Sequence, residues 1–215
     1  MIKGLHLKAV FWLAVGTWVA AFLVSGQPIK MSLLQPSSVV LGVITVVTAY
    51  FERQAWSWKL WHSWFVSVPN LTGTYSGKIS STWVSTDASC AGKNIQVYLS
   101  VFQTLSGLTA RLYTSESFSV SLCASLIESD DGHWEIIYTY RNEPNLLIQD
   151  RSRIHHGGIR LRIEADEPLQ LRGTYFTDRS TSGEVVFNRI SNLRSKSFED
   201  AQKRIPKVEG QVKSK

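Results

Sequence analysis

One predicted strand, residues 168–179, carries a row of side chains that could bind an anionic aromatic ligand. Alternate residues of a strand share a face, which gives the row Leu169, Leu171, Gly173, Tyr175, Thr177 and Arg179. The row changes from apolar to polar toward its carboxyl end. Gly173 could admit a ligand, the Tyr175 ring could stack on a base, and the Arg179 guanidinium could pair with a phosphate.

A second row of aromatic side chains lies on the predicted strand 133–142, formed by Trp134, Ile136, Tyr138 and Tyr140. Buried rings often simply pack in a core, and this is the alternative interpretation for each tyrosine. An inward-facing Arg179 without a partner would be costly. Its alternative role is a salt bridge with Asp178, Glu116 or Glu143.

We expect a ligand site in the interior of the β domain or at its rim, formed by aromatic, hydroxyl, imidazole and guanidinium side chains. The candidates are Tyr75, Tyr138, Tyr140, Arg141, His155, His156, Tyr175, Thr177, Arg179 and Thr181. Adjacent strand residues point to opposite faces, so His155 and His156 cannot chelate one metal ion together. The serines of residues 117–125 lack an assignable base, and no nucleophile-elbow or phosphate-loop motif is present. We therefore expect no enzyme, no metal and no cofactor.

These residues must be positioned by eight strands that follow Asn70, predicted at 71–83, 93–104, 107–115, 117–128, 133–142, 154–165, 168–179 and 183–191. Apolar and polar residues alternate along them. In 117–128, the expected buried face is Phe118, Val120, Leu122, Ala124 and Leu126. Eight antiparallel strands in about 120 residues predict a compact up-and-down barrel, which removes both sheet edges. A β-sandwich is the alternative.

The connections between the strands predict which rim is open. If strand direction alternates, the long connections 84–92 and 143–153 share one rim with the turns near 116 and 181. The tight turns near 105, 130 and 167 share the other rim with the chain entering at Asn70. The rim with the long connections is the expected mouth, and we expect it to face away from the membrane.

Two apolar stretches precede the β domain, at residues 9–25 and 36–51. Each approaches the roughly 20 residues needed to cross a bilayer, and residues 1–68 are therefore predicted to form a two-helix transmembrane hairpin. The flanking basic residues Lys3, Lys8, Lys30, Arg53 and Lys59 favour cytoplasmic termini and a cytoplasmic barrel. A cleaved signal peptide in residues 1–26 is the alternative. Trp56, Trp58, Trp61 and Trp64 are interpreted as an aromatic belt at the membrane surface.

The distribution of charge excludes a nucleic-acid polymer as the ligand. The chain carries a net charge of +6, but the excess of basic residues lies in 1–68 and 192–215, where it can meet anionic lipid. Residues 69–191 hold slightly more acidic than basic residues and offer no surface for DNA or RNA. The basic tail 192–215 is predicted to be disordered or to form a short surface helix. Cys90 and Cys123 are expected to be unpaired thiols in a reducing compartment.

The order of these parts resembles a known family, the two-transmembrane, β-strand-rich effectors of the bacterial antiphage system CBASS. The resemblance includes residues 71–77 (LTGTYSG), the His155-His156-Gly157 element and residues 171–179 (LRGTYFTDR). It implies a lipocalin-like barrel that binds a cyclic dinucleotide made by a partner nucleotidyltransferase. It further implies self-association of the membrane part, disruption of the bacterial inner membrane and death of the infected cell. The basic tail has no counterpart in that pattern.

Two other functions remain open from the sequence. A membrane-tethered, lipocalin-like carrier would accept a lipid or another apolar ligand inside the barrel. A purely structural anchor would have a barrel filled by its own bulky side chains.

Overall fold

A computed structural model describes residues 38–61, 65–81, 94–150, 152–166 and 169–205, together with positions 12, 15, 16, 19, 20 and 23. The chain divides into two compact units. One consists of Met1–Asn70 and Gln103–Gly107, and the other of Leu71–Phe102 and Leu108–Lys215. Most of the apolar stretch 9–25, the connection 82–93 with Cys90, and residues 206–215 lie outside the described residues.

Eight antiparallel strands close into a barrel in sequence order. They are β1 (Gly73–Ser81), β2 (Asn94–Gln103), β3 (Leu108–Tyr113), β4 (Ser117–Glu128), β5 (Trp134–Pro144), β6 (His155–Asp166), β7 (Leu169–Thr177) and β8 (Ser182–Ser191). β8 pairs with β1 and closes the sheet. The prediction of an eight-stranded up-and-down barrel is confirmed, and each predicted strand overlaps an observed one.

The core of the barrel is formed by inward-facing apolar side chains from most strands. Leu99, Val101, Leu161, Leu171 and Phe187 are each 0% exposed. Their alternation with outward-facing polar residues is what directs them inward. The middle and the base of the barrel, the end at which β1 begins, are therefore filled by side chains. We call the opposite end the mouth, in accordance with the predicted sorting of the connections.

The first unit contains helix α1 (Ser38–Arg53), which coincides with the second predicted apolar stretch. None of the helices in the described parts of the chain has both the length and the apolar character needed to span a bilayer. The transmembrane hairpin therefore stays a prediction.

The tryptophans after α1 do not all behave as surface anchors. A 3₁₀ turn at Ala55–Ser57 redirects the chain, and Trp56 is only 1% exposed. Trp61 instead packs edge-to-face with Phe51, with ring centroids 5.7 Å apart. Trp58 is half exposed, and Trp64 lies outside the described residues. The interpretation of Trp56 as a lipid-facing anchor is wrong, because its ring is buried within the protein.

The tail after β8 covers part of the outer surface of the barrel. Helix α2 (Phe198–Lys203) begins with Ser197, whose Oγ accepts a hydrogen bond from the Asp200 amide. The rings of Phe198 and Tyr98 pack edge-to-face with centroids 5.1 Å apart. Thr74 Oγ1 donates to the Leu193 carbonyl at 2.7 Å. Residues 192–205 thus contain the short surface helix that was one of the two predicted outcomes for this segment.

Candidate ligand site at the mouth of the barrel

A β-bulge in β4 determines which side chains line the upper barrel, the half nearest the mouth. Ser121 pairs with Tyr140 and Cys123 pairs with Thr139, so Leu122 is the extra residue of the bulge. Leu122 points outward and is 62% exposed. The prediction of unbroken alternation along this strand is wrong, because one extra residue exchanges the inward and outward faces beyond it.

Serines take the place of the predicted apolar side chains on the inner face of upper β4. Phe118 is 41% exposed on the outer face, whereas Ser119 is buried. Ser119 Oγ donates to Asn142 Oδ1 at 2.8 Å, and Asn142 is also buried. The bulge has no signature in the sequence. Asn142, however, continues the predicted row of Tyr138 and Tyr140 by one alternate position, and strict continuation of that period would have found it.

Two tyrosines of the upper barrel lie across glycines of the neighbouring strands. Tyr140 pairs with Gly157, and Tyr175 pairs with Gly183. A Cβ atom at Gly157 would lie 2.5 Å from Tyr140 Oη, and one at Gly183 would lie 2.7 Å from Tyr175 Cε1. Only glycine leaves room for such close approach. Both rings therefore lie against the wall of the barrel, and their other faces are directed to its interior.

The phenol groups of the upper barrel remain neutral at physiological pH. Burial raises the pKa of Tyr140 to about 12, and the charge of Arg179 opposes part of that increase. Burial also raises the pKa of Tyr138, whose ring centroid lies 6.2 Å from that of Tyr140. A neutral phenol both donates and accepts hydrogen bonds. Tyr138 lies deeper and forms the floor of the site, while Tyr140 is nearer the mouth.

The turn between β7 and β8 holds Arg179 at the mouth. Thr177 and Thr181 are joined through their Oγ1 atoms at 2.7 Å, and the Arg179 amide donates to Thr177 Oγ1 at 3.2 Å. Ser180 adopts a φ of 56°, which reverses the chain. The guanidinium of Arg179 has no carboxylate within ion-pair distance among the described residues. None of its three predicted acidic partners pairs with it, so the salt-bridge alternative is not observed.

His155 and His156 face opposite sides, as predicted from their adjacency. His155 pairs with the inward-facing Asn142. Burial lowers the pKa of His155, and the positive charge of Arg179 lowers it further. His156 faces outward, and its amide donates to Asp178 Oδ2 at 2.9 Å. Among the described residues no group of three or more metal-binding side chains occurs.

The connection between β5 and β6 forms another part of the mouth. It carries an open cavity of about 430 Å³ lined by Gln149, Asp150, Arg153 and Ile154. The Arg153 carbonyl lies 3.1 Å from His155 Nδ1. This rim therefore places a second arginine two residues from the inward-facing histidine.

Three predicted residues lie away from the candidate site. One is the outward-facing His156, and the other two are Arg141 and Tyr75. Arg141 lies on the outer face of β5 and pairs with Glu143 at 3.2 Å, because the inward positions of that strand are the even-numbered ones. Tyr75 is at the base, since β1 runs from the base to the mouth. Its Oη donates to the Leu71 carbonyl at 2.8 Å and accepts from Arg189 at 3.0 Å. Tyr75 therefore lies at the opposite end of the barrel from Arg179, and Arg141 lies on the opposite face of β5 from Tyr140.

The remaining predicted residues lie at the mouth and in the upper interior: Tyr138, Tyr140, His155, Tyr175, Thr177, Arg179 and Thr181. The structure adds Ser119 and Asn142 to this set. The set offers ring faces for stacking, neutral hydroxyl and amide groups, and one cation. Such an arrangement can bind a ligand that combines aromatic bases with negatively charged phosphates.

Comparison with known proteins decides the family. The family described as "Cap15, cyclic dinucleotide receptor domain" matches residues 66–189. The chain belongs to the Cap15 family. The "CD-NTase-associated protein 15" of Staphylococcus schleiferi is 23% identical over 184 residues, covering 86% of this chain and 95% of that protein. The protein of the same name from Yersinia aleksiciae is 27% identical over 155 residues, covering 70% of this chain and 69% of that protein.

The segment that matches the Cap15 family contains the whole candidate site. It begins before β1 and ends within β8, so that α1 and the tail lie outside it. The resemblance to CBASS effectors is therefore confirmed at the level of the family. The barrel is a Cap15-type cyclic dinucleotide receptor domain, and its role is binding.

Proposed function

We infer that this chain is a CBASS effector that binds a cyclic dinucleotide at the mouth of its barrel. The family gives the class of ligand. The observation that supports this location is Arg179, a mouth guanidinium with no carboxylate partner in the described structure, whose charge influences the pKa of both Tyr140 and His155. A phosphate would give that guanidinium charge-assisted hydrogen bonds.

The two halves of a cyclic dinucleotide suit the two kinds of side chain at the mouth. Its phosphates would meet Arg179, with the Arg153 side of the rim available to the second one. Its bases would stack on Tyr140 and Tyr175, whose rings lie over Gly157 of β6 and Gly183 of β8. The hydroxyl groups of Thr177 and Thr181 would provide hydrogen bonds.

The proposed output is at the bacterial inner membrane. Residues 1–68 would form a two-pass hairpin with cytoplasmic termini, and the ligand would come from a partner nucleotidyltransferase. Binding would promote self-association of the hairpins and disruption of the bilayer. A ligand can do so only by binding the assembled form more tightly than the resting form. The apolar stretch 9–25 and the apolar sequence of α1 support this proposal.

The packing of the barrel disfavours a carrier of long lipids. Leu71, Leu161, Leu171, Val185 and Phe187 are at most 1% exposed and fill the middle and the base. An acyl chain would have to displace several of these buried side chains, which would destabilise the barrel. We therefore place the ligand in the polar upper part.

Calorimetry on the purified full chain in detergent tests the site. The ligands are cyclic di-AMP, cyclic di-GMP and cyclic GMP-AMP. Arg179→Ala should lower the affinity for the ligand that binds most tightly by about 10- to 100-fold, the loss expected for a charge-assisted hydrogen bond. Arg111→Ala is the matched control, because Arg111 is exposed on the outer face of β3, and it should not change the affinity. Equal affinities of both variants would exclude Arg179 from the site.

A further inference from the structure

The carboxylate of Glu52 binds the turn that joins β2 to β3. Glu52 is the penultimate residue of α1. Its Oε1 accepts hydrogen bonds from Thr104 Oγ1 at 2.9 Å, from the Ser106 amide at 3.0 Å and from Ser106 Oγ at 2.6 Å. The Glu52 carbonyl accepts a fourth bond, from the Leu105 amide at 3.0 Å. Four donors of one turn thus converge on one residue of the helix.

The turn does not need Glu52 in order to close. The Thr104 amide donates to the Gly107 carbonyl at 2.8 Å, and the Gly107 amide donates to Thr104 Oγ1 at 2.9 Å. These bonds complete the hairpin from its own residues. The contacts with Glu52 are additional, and three of them are charge-assisted, which makes them stronger than neutral hydrogen bonds.

A second contact fixes the same turn to the segment that precedes β1. Gln103 Nε2 donates to the Pro69 carbonyl at 3.0 Å. Leu105, at the tip of the turn, is only 6% exposed. Residues 103–107 therefore belong to the same compact unit as α1, although the chain on either side of them continues into barrel strands.

We propose that Glu52 is a coupling residue, which transmits the binding of ligand in the barrel to helix α1 through the β2–β3 turn. The inference rests on the proposed function. The linker 56–69 is one covalent connection between the helix and the barrel strands. The turn that Glu52 binds belongs to the same unit as the helix and continues covalently into β2 and β3. β2 and β3 reach the mouth at their other ends, so a change in their positions on ligand binding moves the turn that Glu52 holds.

Hydrogen exchange on the full chain in detergent tests this coupling. The probe is whichever of the three cyclic dinucleotides binds most tightly. In the wild type, saturating ligand should change amide exchange in upper β2 and β3, in the turn 103–107 and in the last turn of α1. In Glu52→Gln, which keeps the size and removes the charge, ligand should still bind and should still change the barrel strands, but the response of α1 should be lost.

A variant of the turn checks the same contact from the other side. Ser106→Ala removes the shortest of the bonds, and its effect should not add to that of Glu52→Gln, since both remove one interaction. Glu184→Gln is the control, the same chemical change on the outer face of β8, and it should leave the response of α1 intact. Coupling of ordinary strength shifts a binding equilibrium by about 5- to 150-fold, so the loss is measurable.

The outcomes separate this proposal from the proposed function. If no cyclic dinucleotide binds the wild type, the proposed function fails, and the coupling fails with it. Two results would overturn only the coupling role. In one, ligand binds and α1 responds to it in Glu52→Gln as in the wild type; in the other, ligand binds and α1 responds in neither protein. If Glu52→Gln binds no ligand, Glu52 supports the fold of the barrel and is not a coupling residue.

Discussion

At the scale of the residue, the proposed site combines a cation, Arg179, with a histidine, His155, whose pKa that cation influences. Arg179 has no acidic partner in the described structure. Burial lowers the pKa of His155, and the charge of Arg179 lowers it further. His156 and Asp178 lie on the opposite face, with Nδ1 and Oδ2 3.6 Å apart. The sequence could predict the inward positions of Tyr175 and Thr177 from the period of β7, whereas Arg179 lies in the turn that follows the strand. It could not predict that Asp178 and Glu143 would be directed to other partners.

The affinity for a cyclic dinucleotide should rise as pH falls from about 7.5 to about 5.5, the range in which a histidine takes up a proton. A bound phosphate stabilises the imidazolium of His155, so its pKa is higher in the complex and binding takes up a proton. That contribution is fully present below the pKa of His155 in the free protein and is lost as the pH rises through its pKa in the complex. Calorimetry at both pH values checks this prediction.

Variants at the two histidines identify the source of the pH dependence. His155→Gln should abolish it, whereas His156→Gln should retain it, because His156 faces outward. A pH dependence unchanged in His155→Gln would place the proton uptake elsewhere.

At the scale of the element, the strands were predictable and their local irregularities were not. The alternation in β5 and β7 correctly gave their inward rows, since both strands are regular where they carry the site. The alternation in β4 gave the wrong inward residues before the bulge at Leu122, because residues 117–128 show an unbroken apolar period across it. Tyr75 was misplaced for a different reason: its residue type suits a site, but its position near the start of β1 puts it at the base.

Two single deletions in β4 should differ in their effect on ligand affinity. Deleting Leu122 removes the bulge and leaves Ser121 beside Tyr140, so ligand affinity should be retained. Deleting Val120 moves Leu122 into the inward position of Ser121, which should bury a leucine among the polar groups and abolish binding. Calorimetry measures both, with the melting temperature as a control for folding. Equal affinities of the two deletion variants would contradict the assigned register.

At the scale of the whole molecule, an N-terminal apolar segment, a barrel and a tail are combined in one chain. The order of these parts was apparent from the sequence, because apolar runs, strand alternation and a basic tail differ in composition. The contact of Glu52 with residues 104–106 was not apparent, since it joins positions that are far apart in sequence. The packing of α2 on Tyr98 was equally hidden, because the segment is polar and short.

The tail should contribute to the stability of the barrel. Phe198→Ala removes the edge-to-face pair with Tyr98 and exposes the side of that ring, at a cost of about 1–2 kcal/mol. The melting temperature should fall by about 2–4 °C for each kcal/mol in a chain of this size. Leu193→Ala is the control, because that side chain is 66% exposed. An unchanged melting temperature of Phe198→Ala would show that α2 adds nothing to the stability.

Release of a trapped dye from liposomes that contain the full chain tests the central claim most directly. We predict that dye is retained without ligand and released on addition of the cyclic dinucleotide that binds most tightly. Arg179→Ala should require a higher ligand concentration by about the factor that it loses in affinity, roughly 10- to 100-fold. Release that does not depend on the ligand, or retention of dye while the ligand is bound, would contradict a ligand-gated membrane effector.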